Sequence, residues 1–382
     1  MAATRSGSPQ HTTGDDIPVI DLAVIGASGR VGRRVLEFID TRRAALHQAG
    51  IRLRVTLAAN SRGWLTPAES LPAGRIADLL ATSPKSAEPV AQARALQHAR
   101  IVLDCTASGE IAAHYPRWLA AGADVVTPNK LASSGSRALA QAIAAAASVS
   151  GARLFDSTTV GAQLPLLATL RDLHRAGDRI ERFEAVLSGT LSYVLGRVQQ
   201  GAALSAAVSE AVECGYAEPN PARDLSGEDA ARKLVILLRA LGHDLDLADV
   251  EVVPLVDAEL LVGSEAREVL AALAAADAGW RARAALAQVR HERWVYRASY
   301  EDGKARIAPE RVAETHAFAQ LAPCENALVL HSDFYRAAPL TIAGPGAGID
   351  LTAAGVFADL VAAAQSRSAP ARSYDAPVVV AA

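Results

Sequence analysis

Asp229 and Lys233 stand four residues apart near the start of an otherwise apolar helical stretch, SGEDAARKLVILLRALG. At about 100° per residue, Lys233 falls about 40° from Asp229, on a flank shared with Ile236, Leu237 and Ala240. Glu228, Arg232 and Arg239 gather at about 260–300°, a stripe that reads as the solvent face. An i,i+4 ion pair worth about 0.2–0.5 kcal/mol, with the lysine snorkelling to water, is one account of the pair. The other is a lysine in a partly desolvated cleft, exchanging a proton with a reacting oxygen while the carboxylate orients it. The preceding loop, GYAEPNPARDL, adds Glu218 and Asp224, an acidic pair suited to an ammonium group on a small substrate. Ser226 and Asp229 have the spacing of a capping box, which would start the helix near Gly227.

A second chemistry lies near the N-terminus. Gly26, Gly29 and Gly32 follow the apolar run LAVI and open a helix. Glycines there let the chain turn tightly and approach a pyrophosphate, whose charge a helix N-terminus favours. The loop Gly26, Ser28, Gly29, Arg30, Val31 and Gly32 would then hold a dinucleotide; close strand–helix packing alone would also want these glycines. The second strand ends LAANSRG, with Asn60, Ser61 and Arg62 where an acidic residue would meet a ribose 2'-hydroxyl. A cation and neutral hydrogen-bonders suit a 2'-phosphate instead, so NADP is expected over NAD. Arg62 or Arg30 would face it, or each is simply a solvated surface residue.

The elements that must carry these residues fall into two patterns. From 18 to 153, short apolar strands alternate with helices, which predicts an α/β, Rossmann-type, doubly wound parallel sheet. From 154 to 344, long helices mix with a hairpin around an Asp-Gly turn, which predicts an α+β domain. A glycine-rich turn and a final helix, about 345–365, follow. Residues 1–17 read as a disordered leader without an apolar h-region, and 366–382 as a frayed tail.

Of 382 residues, 51% are hydrophobic and 21% charged, and the net charge of -3 offers no electrostatic attraction for nucleic acid or an anionic membrane. Cys105, Cys214 and Cys324 form no CxxC, which argues against a disulfide framework or zinc site and suits the cytoplasm. No run of about 18 apolar residues lacks charge or punctuation, so no membrane span is expected.

GYAEPNPARDLSGEDAARKLVIL resembles the signature stretch of homoserine dehydrogenases. DCTAS, DVVTPNKLA, TTVGAQLPLL, LSGTLSYVLG, CENALVL and GPGAGIDLTAAGVFADLV are similar to that family in the same order, over about residues 20–365. The likeness looks closest to the dehydrogenase portion of bifunctional aspartokinase–homoserine dehydrogenases. The resemblance implies NADP-dependent, reversible hydride transfer between L-homoserine and L-aspartate 4-semialdehyde, in threonine and methionine biosynthesis. It implies a Rossmann domain joined to a substrate-binding and dimerisation domain, in a homodimer. By the same resemblance Lys233 is the proton donor or acceptor, and Lys130 a second active-site lysine near cofactor and substrate. Asp229 is the carboxylate beside the catalytic lysine. Glu218 and Asp224 serve the substrate amine, and Gly189, Thr190 and Tyr216 its carboxylate. Thr106, Gly215 and Gly346 join the cofactor contacts. A monovalent cation would lie on main-chain oxygens around Val160 and Ala162, but Gln163 and Ser157 depart from the family pattern and argue against a tightly held ion. Asn220, Ala222, Arg223 and Leu131 are further departures. The chain reads as a single-function form in which threonine feedback is not expected. A non-catalytic NADP(H)-binding regulator and a related aspartate-pathway reductase are the alternatives, since GASGRVG also resembles reductases of that kind. Retention of both lysines with the three acids speaks against the regulator, and no cysteine lies in a nucleophile motif that aspartate-semialdehyde dehydrogenases need.

Overall fold

Two sheets divide the chain, each with its own core. The computed structural model describes residues 17–368 except 69–70, 84–89, 91–93 and 264–265; the leader 1–16 and the tail beyond 368 lie outside the described residues.

The first sheet contains β1 (Val19–Ile25), β2 (Arg52–Asn60), β3 (Gly63–Leu65), β4 (Ile101–Asp104), β5 (Asp124–Val126) and β6 (Leu154–Phe155), in the order β3-β2-β1-β4-β5-β6. The four pairings β1–β2, β1–β4, β4–β5 and β5–β6 are parallel, but β3 folds back antiparallel on β2, so the expected all-parallel sheet is mixed at one edge. β6 pairs with β5, which moves the sequence-based boundary at 153/154 past Phe155. Leu22 to Ile25 are fully buried because helices cover both faces. Helices Arg30–Thr41 and Ala73–Thr82 lie on one face, and Tyr115–Ala120 and Arg137–Ser150 on the other.

The final helix, Ile349–Ser368, completes the first face. Length and composition alone would also allow it to cross a membrane. Its Val356, Leu360 and Ala364 are instead buried in the first core, and Phe357 meets Phe38 edge-on at 5.9 Å. Residues 366–368, assigned from sequence to a frayed tail, belong to this helix, and Arg367 donates to the buried Asp124 at 2.6 Å.

The second sheet runs β12-β11-β7-β9-β10-β8, from β7 (Ile180–Val186), β8 (Val250–Val252), β9 (Glu292–Glu301), β10 (Lys304–Ala313), β11 (Glu325–Ser332) and β12 (Leu340–Pro345). It is antiparallel except where β8 joins β10. The expected hairpin is β9–β10; its turn residues Asp302 and Gly303 have φ of 51° and 76°, as a two-residue hairpin turn requires. Helices Gly189–Gln199, Leu204–Glu213, Glu228–Ala240 and Asp277–Val289 pack one face, burying Phe183, Leu191, Leu234, Trp280 and Leu328.

Candidate active site

β1 delivers the chain into Gly26, whose φ of 81° suits glycine. A Cβ there would come within 2.8 Å of the Cys105 backbone and 3.1 Å of Thr106, so the loop lies directly on the end of β4. A Cβ on Gly32 would collide with the Gly26 carbonyl. Gly29 precedes helix Arg30–Thr41, whose start has neither a side-chain cap nor an acid in its first turn. That leaves amides and dipole available to an anion. Asn60 Nδ2 donates to Ser28 Oγ at 3.1 Å, and Asn60 Oδ1 accepts from the Arg62 and Gly63 amides at 2.8 and 3.1 Å. Asn60 therefore braces the glycine loop and the β2–β3 turn together. Arg30, Ser61 and Arg62 are exposed, Arg62 Nη1 donating to the Ala81 carbonyl at 3.1 Å, while Val31 packs on the first core.

The ends of β4 and β5 are tied by buried polar groups. Asp104 accepts from the Thr106 amide at 2.8 Å, from Tyr115 at 2.6 Å and from Asn129 Nδ2 at 3.1 Å. Burial foremost, then the Asp104 charge, pushes the Tyr115 hydroxyl well above its usual pKa, so it stays a donor. Asn129 Oδ1 accepts from the Leu131 amide and caps a one-turn helix, Lys130–Ser133. Residues 131–152 do not form one continuous helix. The helix breaks at Gly135, where a Cβ would stand 2.8 Å from the Leu131 carbonyl, and restarts with Ser136 as cap.

This break aims Lys130 at the second domain. Lys130 Nζ lies 2.7 Å from Asp229 Oδ1, and Lys233 Nζ lies 2.9 Å from Asp229 Oδ2. Lys233 also donates to the Leu187 carbonyl at 2.8 Å, and its side chain is 14% exposed. Burial would raise the Asp229 pKa, but the two ammonium groups outweigh it and hold the carboxyl well below the usual range. The expected capping box is absent. Gly227, at φ 78°, starts the helix without a side-chain cap, and the Asp229 carboxylate faces the lysines.

The expected solvent stripe is also corrected. Arg239 is 14% exposed and donates to the carbonyls of Ser133 and Leu245, while Arg232 reaches Ser134 Oγ at 3.5 Å and pairs with Glu228. That face meets the nucleotide-binding half across a polar seam. Periodicity registers such a seam as surface because both are polar.

A cavity of about 210 Å³ opens at the junction, lined by Thr106, Lys130, Glu218, Arg223, Asp229 and Arg232 among others. Asp224 lies beside it and accepts from the Glu218 amide at 3.0 Å and Thr190 Oγ1 at 3.2 Å. Burial pushes its carboxyl up, against the pull of the Glu218 amide. Thr190 Oγ1 also lies 2.5 Å from the Tyr216 carbonyl, and the exposed Tyr216 ring packs on Tyr193 at 4.8 Å. Gly215 (φ 73°) turns the chain before Tyr216, and Gly189 opens helix Gly189–Gln199 against the Cys324 backbone. Gly346 packs so tightly on Asn326 that no Cβ would fit. Asn326 Nδ2 lies 3.4 Å from the Leu187 carbonyl that holds Lys233, which places Gly346 near that lysine. Asn326, Asp104 and Tyr115 do not stand out in the sequence, and Arg239 reads there as solvent face; each sits in an apolar run or an ordinary polar position whose partner is distant in the chain.

Around Val160, Gly161 and Ala162 have φ of 76° and 52°. Thr158 Oγ1 is buried without a hydrogen-bond partner among the described residues, and the Ala162 carbonyl and Gln163 Oε1 both approach Gly355. Ser157 turns instead to Asp359, donating through its amide at 3.0 Å and through its hydroxyl. Burial pushes the Asp359 carboxyl up to about 6.

Residues 165–361 match the family model for homoserine dehydrogenase, and residues 28–156 the model for the homoserine dehydrogenase NAD-binding domain. The chain is 34% identical over 347 residues to the bifunctional aspartokinase/homoserine dehydrogenase of Haemophilus influenzae, covering 90% of this chain and 42% of that protein. It thus spans less than half the length of that curated relative. A solved structure described as a putative homoserine dehydrogenase from Archaeoglobus fulgidus is similar at 25% identity and TM-score 0.73, covering 90% of this chain and 98% of the other. A hyperthermophilic archaeal homoserine dehydrogenase in complex with NADPH shares the fold at 22% identity, TM-score 0.69, covering 91% and 98%.

Proposed function

The chain belongs to the homoserine dehydrogenase family, oxidoreductases acting on a CH–OH group with NAD(P), and from that premise we propose that this protein interconverts L-homoserine and L-aspartate 4-semialdehyde, with NADP favoured over NAD, toward threonine and methionine. The observation that carries the proposal is Asp229 holding two lysines, one from each half, at the cavity beside Thr106.

A nicotinamide cofactor held by the glycine loop of Gly26, Gly29 and Gly32 would supply hydride-transfer chemistry at the substrate carbon. The substrate oxygen then needs positive charge and a proton partner. An ammonium group has three donors. Lys233 commits one to Asp229 and one to the Leu187 carbonyl, leaving a third for that oxygen. Lys233 transfers the proton, and Lys130, on the cavity wall, stabilises the charge. Asp229 stays ionised and orients both. Glu218 receives the substrate amine, and Asp224 fixes the Glu218 loop against Thr190. The start of helix Gly189–Gln199, with Thr190 and Tyr216, suits the substrate carboxylate.

The glycine loop fits a dinucleotide by its crowding, and Arg62, Ser61 or Arg30 meets the 2'-phosphate. A monovalent cation, weakly held, fits the main-chain turn at Val160 and Ala162 beside the Thr158 hydroxyl, which has no hydrogen-bond partner among the described residues. The active form is a homodimer, to be read by sedimentation. NADP reduction by purified protein with L-homoserine at alkaline pH tests the reaction. Loss of turnover by orders of magnitude in Lys233→Ala is expected. No turnover in the wild type with NADP binding intact would favour a non-catalytic regulator.

A further inference from the structure

We propose that Arg239 is a positioning residue that sets Lys130 against Asp229 across the seam between the two halves; the proposal rests on the reading of those residues as the active site. Arg239 lies ten residues beyond Asp229 on the same helix, about 15 Å along its axis. Nη1 donates to the Ser133 carbonyl at 2.9 Å. Nε and Nη2 donate to the Leu245 carbonyl at 3.1 and 2.9 Å, and Nη2 reaches Asp246 Oδ1 at 3.1 Å. Asp246 Oδ1 also accepts from the Arg137 amide at 2.8 Å. One guanidinium thus joins the end of its own helix to both segments that flank the break after Lys130.

Ser133 is the last residue of the one-turn helix that Lys130 begins. A helix of four residues has no stability of its own, and its C-terminal carbonyls lack intrahelical partners. Its position is therefore set by the buried Ala132 in the core beneath it and by its polar tethers. Asn129 holds one end, and Ser133 Oγ donates to Asp156 at 2.7 Å at the other. Neither of those partners lies on the helix that bears Asp229. Arg239 brings a tether from the helix that bears Asp229 itself, at good hydrogen-bond length, whereas the Arg232–Ser134 contact is long at 3.5 Å. Lysine could not replace it, since a planar fork alone meets three acceptors in fixed directions. Burial opposes the charge and pulls the Arg239 pKa down, while Asp246 and then Asp244 pull it back up.

The test uses the full chain with Arg239→Gln and Arg239→Lys, each in the wild-type and Asp229→Asn backgrounds. The measurements are kcat and KM for L-homoserine and NADP, the melting temperature, and the rate at which an amine-reactive reagent labels Lys130, read by peptide mass. Misplacement of a reacting group by about 1 Å costs of order 10²-fold, so kcat in Arg239→Gln should fall by that order while both KM values hold within about threefold. Lys130 should label several-fold faster, Arg239→Lys should fall between, and Arg239→Gln should add little in the Asp229→Asn background. An unchanged kcat, an equal proportional loss in both backgrounds, or a kcat loss fully tracking the fraction unfolded would overturn the proposal. If the wild type lacks turnover with homoserine, the functional reading fails separately. Labelling then decides: unchanged Lys130 reactivity in Arg239→Gln overturns the clamp, and faster labelling that vanishes in Asp229→Asn upholds it.

Discussion

The cofactor cradle packs against Thr106 at the edge of the cavity whose wall carries Lys130 and Asp229 of the lysine hub, and the two are built in different ways. The cradle is a backbone construction. Its glycines are required by contacts within a few residues and with the end of β4, and its one bracing side chain, Asn60, is uncharged. The hub is a charge construction, in which Lys130, Asp229 and Lys233 come from two domains and each needs the others. A backbone site fails when a methyl group is added. A charge site fails when one partner is neutralised and the remaining charges are left facing one another.

The largest effect should come from the hub. Lys233→Ala or Asp229→Asn should lower kcat by about 10²–10⁴-fold, the usual contribution of a positioned acid or base, with the NADP dissociation constant little changed. A fall confined to NADP binding would erase the distinction between the regions. The Asp229 pKa is depressed in the fold, so its stabilisation is present above the unfolded carboxylate pKa, about 3.9, and is lost as pH falls through the lower folded value. The melting-temperature deficit of Asp229→Asn should accordingly be flat from about pH 5 to 8.

Next is the cradle. Gly32→Ala drives a methyl group into the Gly26 carbonyl and should weaken NADP binding by more than about tenfold, with destabilisation of about 1–3 kcal/mol by overpacking. Titration with NADP and thermal melting measure both. Arg62→Ala should weaken NADP by roughly tenfold and leave NAD unchanged, the share of one charge-assisted contact worth about 1.4 kcal/mol. Equal loss for both cofactors would place Arg62 away from the 2'-phosphate.

The smallest effect lies at the junction of the halves. Asp359, raised to about 6, favours its protonated form when folded, so stability is lost as pH rises from about 4 to 6 and stays at the lower level above that. Asp359→Asn should raise the melting temperature at pH 8 more than at pH 4.5. The reverse order would show that the Ser157 bonds to the carboxylate outweigh its burial.

The same contrast explains what was legible in the sequence. Glycine spacing, strand–helix alternation and the Asp-Gly hairpin are local, and all appear in the fold. The family signature carried Lys130, Asp229 and Lys233, which the structure brings to one point. Local rules failed where distant partners decide. Ser226 and Asp229 had capping-box spacing, but two lysines hold the carboxylate. Arg232 and Arg239 had the phase of a solvent face, but a polar seam has the same phase. β3 folds back through a turn braced by Asn60, whose role in the β2–β3 connection no periodicity shows.

Steady-state oxidation of L-homoserine by wild type and Asp229→Asn, with NADP affinity measured on both, tests the central claim most directly. The expected result is turnover in the wild type, a loss of at least about 10²-fold in the variant, and equal cofactor affinity. Full activity in Asp229→Asn, or a wild type that binds NADP without oxidising homoserine, would contradict it.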